Sequence, residues 1–466
     1  MGPLAFTVEL TRADDFGSTS TVYFSSRAFC SEPGDDPPNT YFEDRITDRV
    51  QTERYAFGSG KTYGRSSVGL GEIRLSNKDT ALAGWRDYGW DGQSAVVRTG
   101  RIGTPYPSAW ATLFVGVIAG VEVGVSDVRV RLRDAQRLLD EPIQTSLYAG
   151  TSSGASGVEG GADLEGDPKP LCFGLCRDAP LVLVNGALQI YQYHDGPAGG
   201  VLAVYDKGSA LTSAGSVATL TALQAATVPP GHWLQCPPLG LVRLGSTPAG
   251  QVSADVLGDA TGGYADTAPG IAARLLARVG VPVGDTFSAL AAAAPAPVGV
   301  YVSESRKVGE TLDDVLGSVG AWCVRDGAGV WQVGRLASPG LPVAEITDLE
   351  MTDITVLTPS DDDGGVPPYR VDLQYLRCWR TQDEPAAGVT SDRKAFLSKE
   401  YRTKTALNGA IKTKHLLSPV MTRTTLLVVP EDAQAEAERL LALYGVRRDY
   451  VRVTVRFGQG DFGLFA

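Results

Sequence analysis

Apolar and polar residues alternating with a period of two are the feature that most constrains this chain. In Asp127-Val-Arg-Val-Arg-Leu-Arg, residues Val128, Val130 and Leu132 fall on one face of an extended strand, and Arg129, Arg131 and Arg133 on the other. Tyr450-Val-Arg-Val-Thr-Val-Arg-Phe repeats the design, setting Val451, Val453, Val455 and Phe457 against Arg452, Thr454 and Arg456. Residues 369–379 alternate too, with Tyr369, Val371, Leu373, Tyr375 and Trp379 on one side. Bulk on both faces of that strand predicts cover on both. The 55 glycines and 28 prolines, with no collagen-like period, supply the turns that many short strands need. The longest apolar stretch, residues 111–125, is too short to cross a bilayer as a helix and is broken by Glu122 and several glycines. It reads as strand, turn, strand.

Helices are few. Thr267-Ala-Pro-Gly opens one that Gly280 stops, with Thr267 as the cap and proline in the first turn. Thr311-Leu-Asp-Asp opens a second, its acids placed where the helix dipole favours them. Pro430-Glu-Asp-Ala begins the clearest one, closed by Gly445, and a short helix is expected over residues 134–139. The Gly/Ser-rich residues 150–161 read as a linker or mobile loop. Further breaks fall at residues 258–266 and 338–342, and a Pro/Asp/Gly loop covers 359–368.

At about 100–200 residues per domain, 466 residues hold several domains. Hydrophobic residues at 43% suffice to bury several cores, and charged ones are 20%. A net charge of −11 argues against a generally basic nucleic-acid binder. The opening Met1-Gly-Pro-Leu-Ala has no basic segment of a secretory signal, so a soluble chain made in a cytoplasm is expected.

Chemistry has few footholds, beginning with only three histidines. Cys172-Phe-Gly-Leu-Cys176 and His232-Trp-Leu-Gln-Cys236 each have ligand-like spacing, and three cysteines plus one histidine form a zinc set. Against this, the halves lie far apart in sequence, and free cysteine is among the most often buried residues. Asp361-Asp-Asp-Gly-Gly lacks the alternating ligands of a calcium loop and reads as solvated. Gly58-Ser-Gly-Lys-Thr echoes a phosphate loop, but Tyr55 stands where its first glycine belongs and no helix pattern follows. Arg393, Lys394, Lys399, Arg402, Lys404, Lys412, Lys414 and Arg423 face only Glu400 over their stretch. That run is either a patch for an acidic partner or a solvated strand pair whose lysines guard an edge. No catalytic residue, cofactor or metal ligand is assigned, and the chain is not expected to be an enzyme.

Several phrases, in order, resemble the central hub of a phage tail tip or baseplate, and the related hubs of gene transfer agents. Residues 71–79 (Gly-Glu-Ile-Arg-Leu-Ser-Asn-Lys-Asp), 88–93 (Tyr-Gly-Trp-Asp-Gly-Gln) and 97–100 (Val-Arg-Thr-Gly) resemble the first strands of such hubs. Residues 163–174 (Asp-Leu-Glu-Gly-Asp-Pro-Lys-Pro-Leu-Cys-Phe-Gly) and 189–196 (Gln-Ile-Tyr-Gln-Tyr-His-Asp-Gly) resemble later hub segments. Residues 312–336, a short helix leading into Gly-Ala-Trp-Cys-Val-Arg-Asp-Gly, are similar to the hub's small α+β piece.

The resemblance implies a mainly β, multidomain chain. Tail-tube-like β-barrels would occupy residues 1–150 and 346–466, a β-rich peripheral insertion 151–262, and a small α+β domain 263–345. It implies a homotrimer whose two barrels per copy give six similar positions, continuing a sixfold tube while presenting threefold symmetry to a tip or fibre. Partners would be tail tube or distal tail proteins above, tip or fibre proteins below, and a tape measure protein in the lumen. DNA would pass without specific binding, and the acidic total suits a passage to which phosphates do not stick. The setting would be the virion tail tip, assembled in the host cytoplasm, with no stable membrane insertion. No lytic domain fits the length, and the three cysteines of the middle region fall short of a four-cysteine iron–sulfur cluster. The alternative is a receptor- or carbohydrate-binding tail protein, with or without glycan-degrading activity, using Trp85, Trp90 and Trp110 as sugar platforms. Otherwise these tryptophans pack in the barrel or at its interfaces.

Overall fold

The computed structural model describes residues 2–48, 54–57, 67–68, 71–133, 135–338, 340, 342, 345–349, 351–357, 365–448 and 450–455. The chain is mainly β and built of several sheets. Its N-terminal part is one eight-stranded sheet, in the order Phe29–Cys30, Tyr41–Asp44, Thr19–Ser25, Leu4–Ala13, Ser94–Arg101, Ala111–Val123, Asp127–Arg133, Glu72–Ser76. Residues 45–47 continue the Tyr41–Asp44 strand and bond to the far edge. Thr47 N donates to Arg74 O at 3.0 Å, and Ser76 N to Arg45 O at 2.7 Å. The sheet therefore closes on itself as a barrel.

Period two decides what that barrel contains. Val8, Leu10, Ile73, Leu75, Ala95, Val97, Ile118, Val128 and Val130 are all fully buried in one core. Each large side chain so buried contributes about 1.5–3 kcal/mol. The inside is a packed core and not a pore, while Arg129, Arg131 and Arg133 point outward. Residues 111–123 form one unbroken strand where a turn was expected. Gly116 is needed within it, because a Cβ there would meet the Phe114 ring at 2.3 Å and Arg133 O at 2.7 Å.

The middle of the chain is a sandwich of two five-stranded sheets. Cys172, Cys176, Val204, Ala254 and Val256 of one sheet meet Tyr191, Trp233, Val242 and Leu244 of the other. On the first sheet's opposite face, Leu171, Phe173, Val300 and Val302 enter the largest core, shared with the helices Ala268–Arg278 and Val308–Gly317. The same core takes Val371, Leu373 and Tyr375 together with Ala433, Ala437 and Leu440 of the helix Pro430–Tyr444. One core thus spans the sequence positions 263 and 346.

Local signals hold with instructive departures. Thr267 caps its helix, its hydroxyl accepting from Gly270 N at 3.3 Å. The helix Val308–Gly317 starts before Thr311, which lies buried inside it with its hydroxyl donating to Lys307 O at 3.3 Å. Glu310 instead receives the Lys307 amide at 3.4 Å. The Gly/Ser stretch is tied down and is no free linker. Gly160 N donates to Val184 O at 3.1 Å, and Asn185 Nδ2 donates to Gly157 O at 3.0 Å. Among the described residues, the strand Arg370–Tyr375 has one face covered. Its other face, with Arg370, Asp372 and Gln374, is flanked by exposed Thr403, Thr405, Thr422 and Thr424.

Candidate assembly surfaces

The outer wall of the barrel is the first surface. Adjacent strands place Arg74 directly opposite Arg129, and Arg131 and Arg133 continue the row. Like charges opposed in this way are unfavourable unless neighbours neutralise them. Glu72 takes Arg74 at 2.8 Å, Asp127 takes Arg129 at 3.2 Å, and Glu122 pairs with Arg131. These pairs are exposed, so each adds little stability. They leave a hydrated, nearly balanced face that can lie against a neighbour or line a passage without gripping phosphate.

One end of the barrel carries two apolar tips. Phe16 is 94% exposed in the turn after Leu4–Ala13, and Val125 is 86% exposed in the turn after Ala111–Val123. Strand directions put both turns at the same end. The Phe16 turn is held in shape by Asp14 Oδ1, which accepts from Phe16 N at 2.9 Å and Ser18 N at 2.8 Å. At the other end Phe29 stacks on Phe42 and Trp110, with ring centroids 4.6 Å and 5.5 Å apart.

Buried charge holds the rest of the molecule together. Asp178 is fully buried and takes both Nη atoms of Arg393, with Ser253 Oγ donating to it at 2.9 Å. Burial pushes its carboxyl above the usual range, while the Arg393 guanidinium works against that rise. Beside it, Asp255 accepts from Arg177 at 2.7 Å, from Tyr205 OH at 2.9 Å and from Asp178 N at 3.0 Å. Arg393 lies on the Tyr205 ring at 3.7 Å. The cluster pins the helix Ser391–Leu397 onto the sandwich. Nearby, Asp259 sits between buried His194, 3.7 Å away, and Arg274. Burial tends to raise the Asp259 carboxyl, but the neighbouring His194 ring, the Thr261 hydroxyl and the Arg274 guanidinium outweigh it and hold it well below the ordinary range. Glu436 is engaged by Arg335 at 2.6 Å and Arg439 at 2.7 Å. It borders a cavity of about 280 Å³ also lined by Phe57, Asp314, Leu336 and Tyr444. Each carboxylate is spoken for by arginine, an arrangement suited to fixing elements and not to moving protons.

The cysteines and His232 named above do not converge. Cys172 and Cys176 lie in the sandwich core, Cys236 in a separate core with Val184, Leu223 and Leu234, and His232 Nδ1 lies 3.0 Å from Pro230 O. Among the described residues no three histidine, cysteine, aspartate or glutamate side chains group as a metal site. The basic run splits up. Arg393 and Arg402 turn inward, Arg402 onto Phe396 at 3.7 Å, and Lys412 covers Tyr369 at 4.3 Å. Lys404 remains on the edge strand Arg402–Leu407. Trp85, Trp90 and Trp110 are buried, so they offer no sugar platform. Residues 58–62 and 361–364 lie outside the described residues. Sequence reading missed Asp178, Asp255, Asp259 and Glu436. Their partners are far away in the chain, and no local pattern marks them.

No family model matches the chain. No curated relative matches it either. Among solved structures it is similar to the tail protein from Neisseria meningitidis MC58, at 9% identity and a TM-score of 0.40, over 98% of this chain and 81% of that one. It is similar to the prophage MuSo2 43 kDa tail protein from Shewanella oneidensis at 8% identity and a TM-score of 0.38, over 98% of this chain and 82% of that one. A chain of the native gene transfer agent virion matches at 17% identity and a TM-score of 0.23, over 55% of this chain and 80% of that one. TM-scores below 0.5 leave fold and function to be argued from the chain itself.

Proposed function

We propose that the chain is a structural protein of a phage-type tail, the hub of its tip or baseplate, acting as a homotrimeric ring and not as an enzyme. The observation that carries this reading is the filled barrel. A barrel with a solid apolar core and a charge-balanced outer wall cannot conduct anything itself, but several of them side by side can wall a passage. The order of hub-like phrases along the sequence supports the same setting.

In this reading residues 1–150 and 346–466 provide the two tube-facing units of each copy, 151–262 a peripheral unit, and 263–345 a small connecting unit. The ring continues the tube channel and adapts sixfold to threefold symmetry. It meets tube or distal tail proteins above, tip or fibre proteins below and the tape measure protein within, and DNA passes through unbound. Its place is the virion, after assembly in the host cytoplasm. Cryo-electron microscopy of intact particles tests this. A threefold ring of this chain at the tube end is expected. A passage lined mainly by lysine and arginine, or a position on the tail periphery, would contradict it.

A further inference from the structure

The strands Met351–Leu357 and Tyr450–Val455 form a ribbon of two, paired to each other and, among the described residues, to no other strand. Two strands alone are marginal in water. Among the described residues no further strand pairs with either outer edge, though Met351 N donates to Thr347 O at 3.1 Å, and such edges are a template for another chain. The ribbon is also sided. Register puts Ile354 opposite Val453 and Val356 opposite Val451. These four are 61%, 37%, 68% and 43% exposed, a contiguous apolar stripe open to solvent. Asp353, Thr355, Arg452 and Thr454 share the opposite face. Three other edges are blunted, by Lys404 on Arg402–Leu407 and by strands of only two residues at Phe29–Cys30 and Ser209–Ala210, whereas the ribbon strands are six and seven residues long.

We propose that this ribbon is an assembly edge, and that its occupant is the ribbon of a second copy of this chain. The outer edge of Met351–Leu357 in one copy adds antiparallel to the outer edge of Tyr450–Val455 in the next. Charge selects this head-to-tail pairing. One strand carries Asp353 and the other Arg452, and neither has an ion-pair partner among the described residues. Joining like edges would bring Asp353 towards Asp353, or Arg452 towards Arg452. Joining unlike edges sets Asp353 beside Arg452 and merges the apolar stripes of successive copies into one band. A heterologous contact of this kind closes into a ring when its rotation divides the circle, and otherwise runs on as a filament. The inference deepens the ring reading above and takes its biological setting from it.

Analytical ultracentrifugation of the full chain tests it. Ile354→Asp with Val453→Asp is expected to weaken association at least tenfold, with the circular dichroism of the chain unchanged because these side chains leave no core. Asp353→Arg and Arg452→Asp are each expected to be monomeric alone and to associate when mixed, which no effect within a single ribbon can produce. Variants that assemble like the wild type overturn the ribbon proposal and leave the ring standing. A wild-type chain that stays monomeric at every concentration overturns both. If deletion of residues 456–466 gives a monomer that newly binds a hydrophobic dye, the chain's own end covers the stripe, and the proposal fails.

Discussion

Asp178 and Arg393 make the clearest claim at the scale of single residues. Removing one member of a buried ion pair strands the other, at a cost of about 3–5 kcal/mol. Asp178→Ala is therefore expected to lower stability by that amount in urea unfolding, and Asp178→Leu with Arg393→Met to recover most of it. Asp259 behaves as an acid-side latch. Its folded carboxyl lies below the unfolded value, so its contribution is complete above about pH 4 and is lost as pH falls further. Asp259→Asn should flatten the fall in melting temperature on acidification, while leaving the wild-type value highest near neutrality. Cysteine gives a third check. Cys30 is exposed and the other five are buried, with burial pushing the Cys378 thiol up to about 11. One thiol of six should react with a thiol reagent in the native chain at pH 8, and all six after denaturation.

Among elements, strands were more legible than helices and linkers. Alternation at 127–133 named the inward and outward side chains correctly, because a closed barrel has one apolar side and one wet side. Shortening a buried side chain there, as in Leu132→Ala, should cost about 2–5 kcal/mol. The same alternation could not tell a covered face from an open one at Arg370–Tyr375, since cover comes from elements distant in sequence. Glycine misled twice. In 111–123 it marks close packing inside one strand, and in 150–161 it lets a loop lie flat on its neighbours. Thr311 shows a third limit, as a capping residue type is also a good buried helix residue when its hydroxyl bonds back along the turn. The candidate surfaces were half legible. The arginines of the barrel wall and the residues of the ribbon stand out in sequence, but only pairing register shows that the wall is neutralised and that, among the described residues, the ribbon meets no further strand.

For the whole molecule, the division of labour is between a solid barrel, a sandwich and helices sharing one large core, and a ribbon left open. The first two are complete within one copy. The ribbon meets no further strand among the described residues, and the proposed function accordingly lies between copies and not in a pocket. Its most direct test is the mass of the purified full chain across a range of concentrations, read together with particle images. A three-copy ring around a hollow axis is expected, with the barrels as its wall. A compact single copy at every concentration, or a closed assembly with no passage, would contradict it.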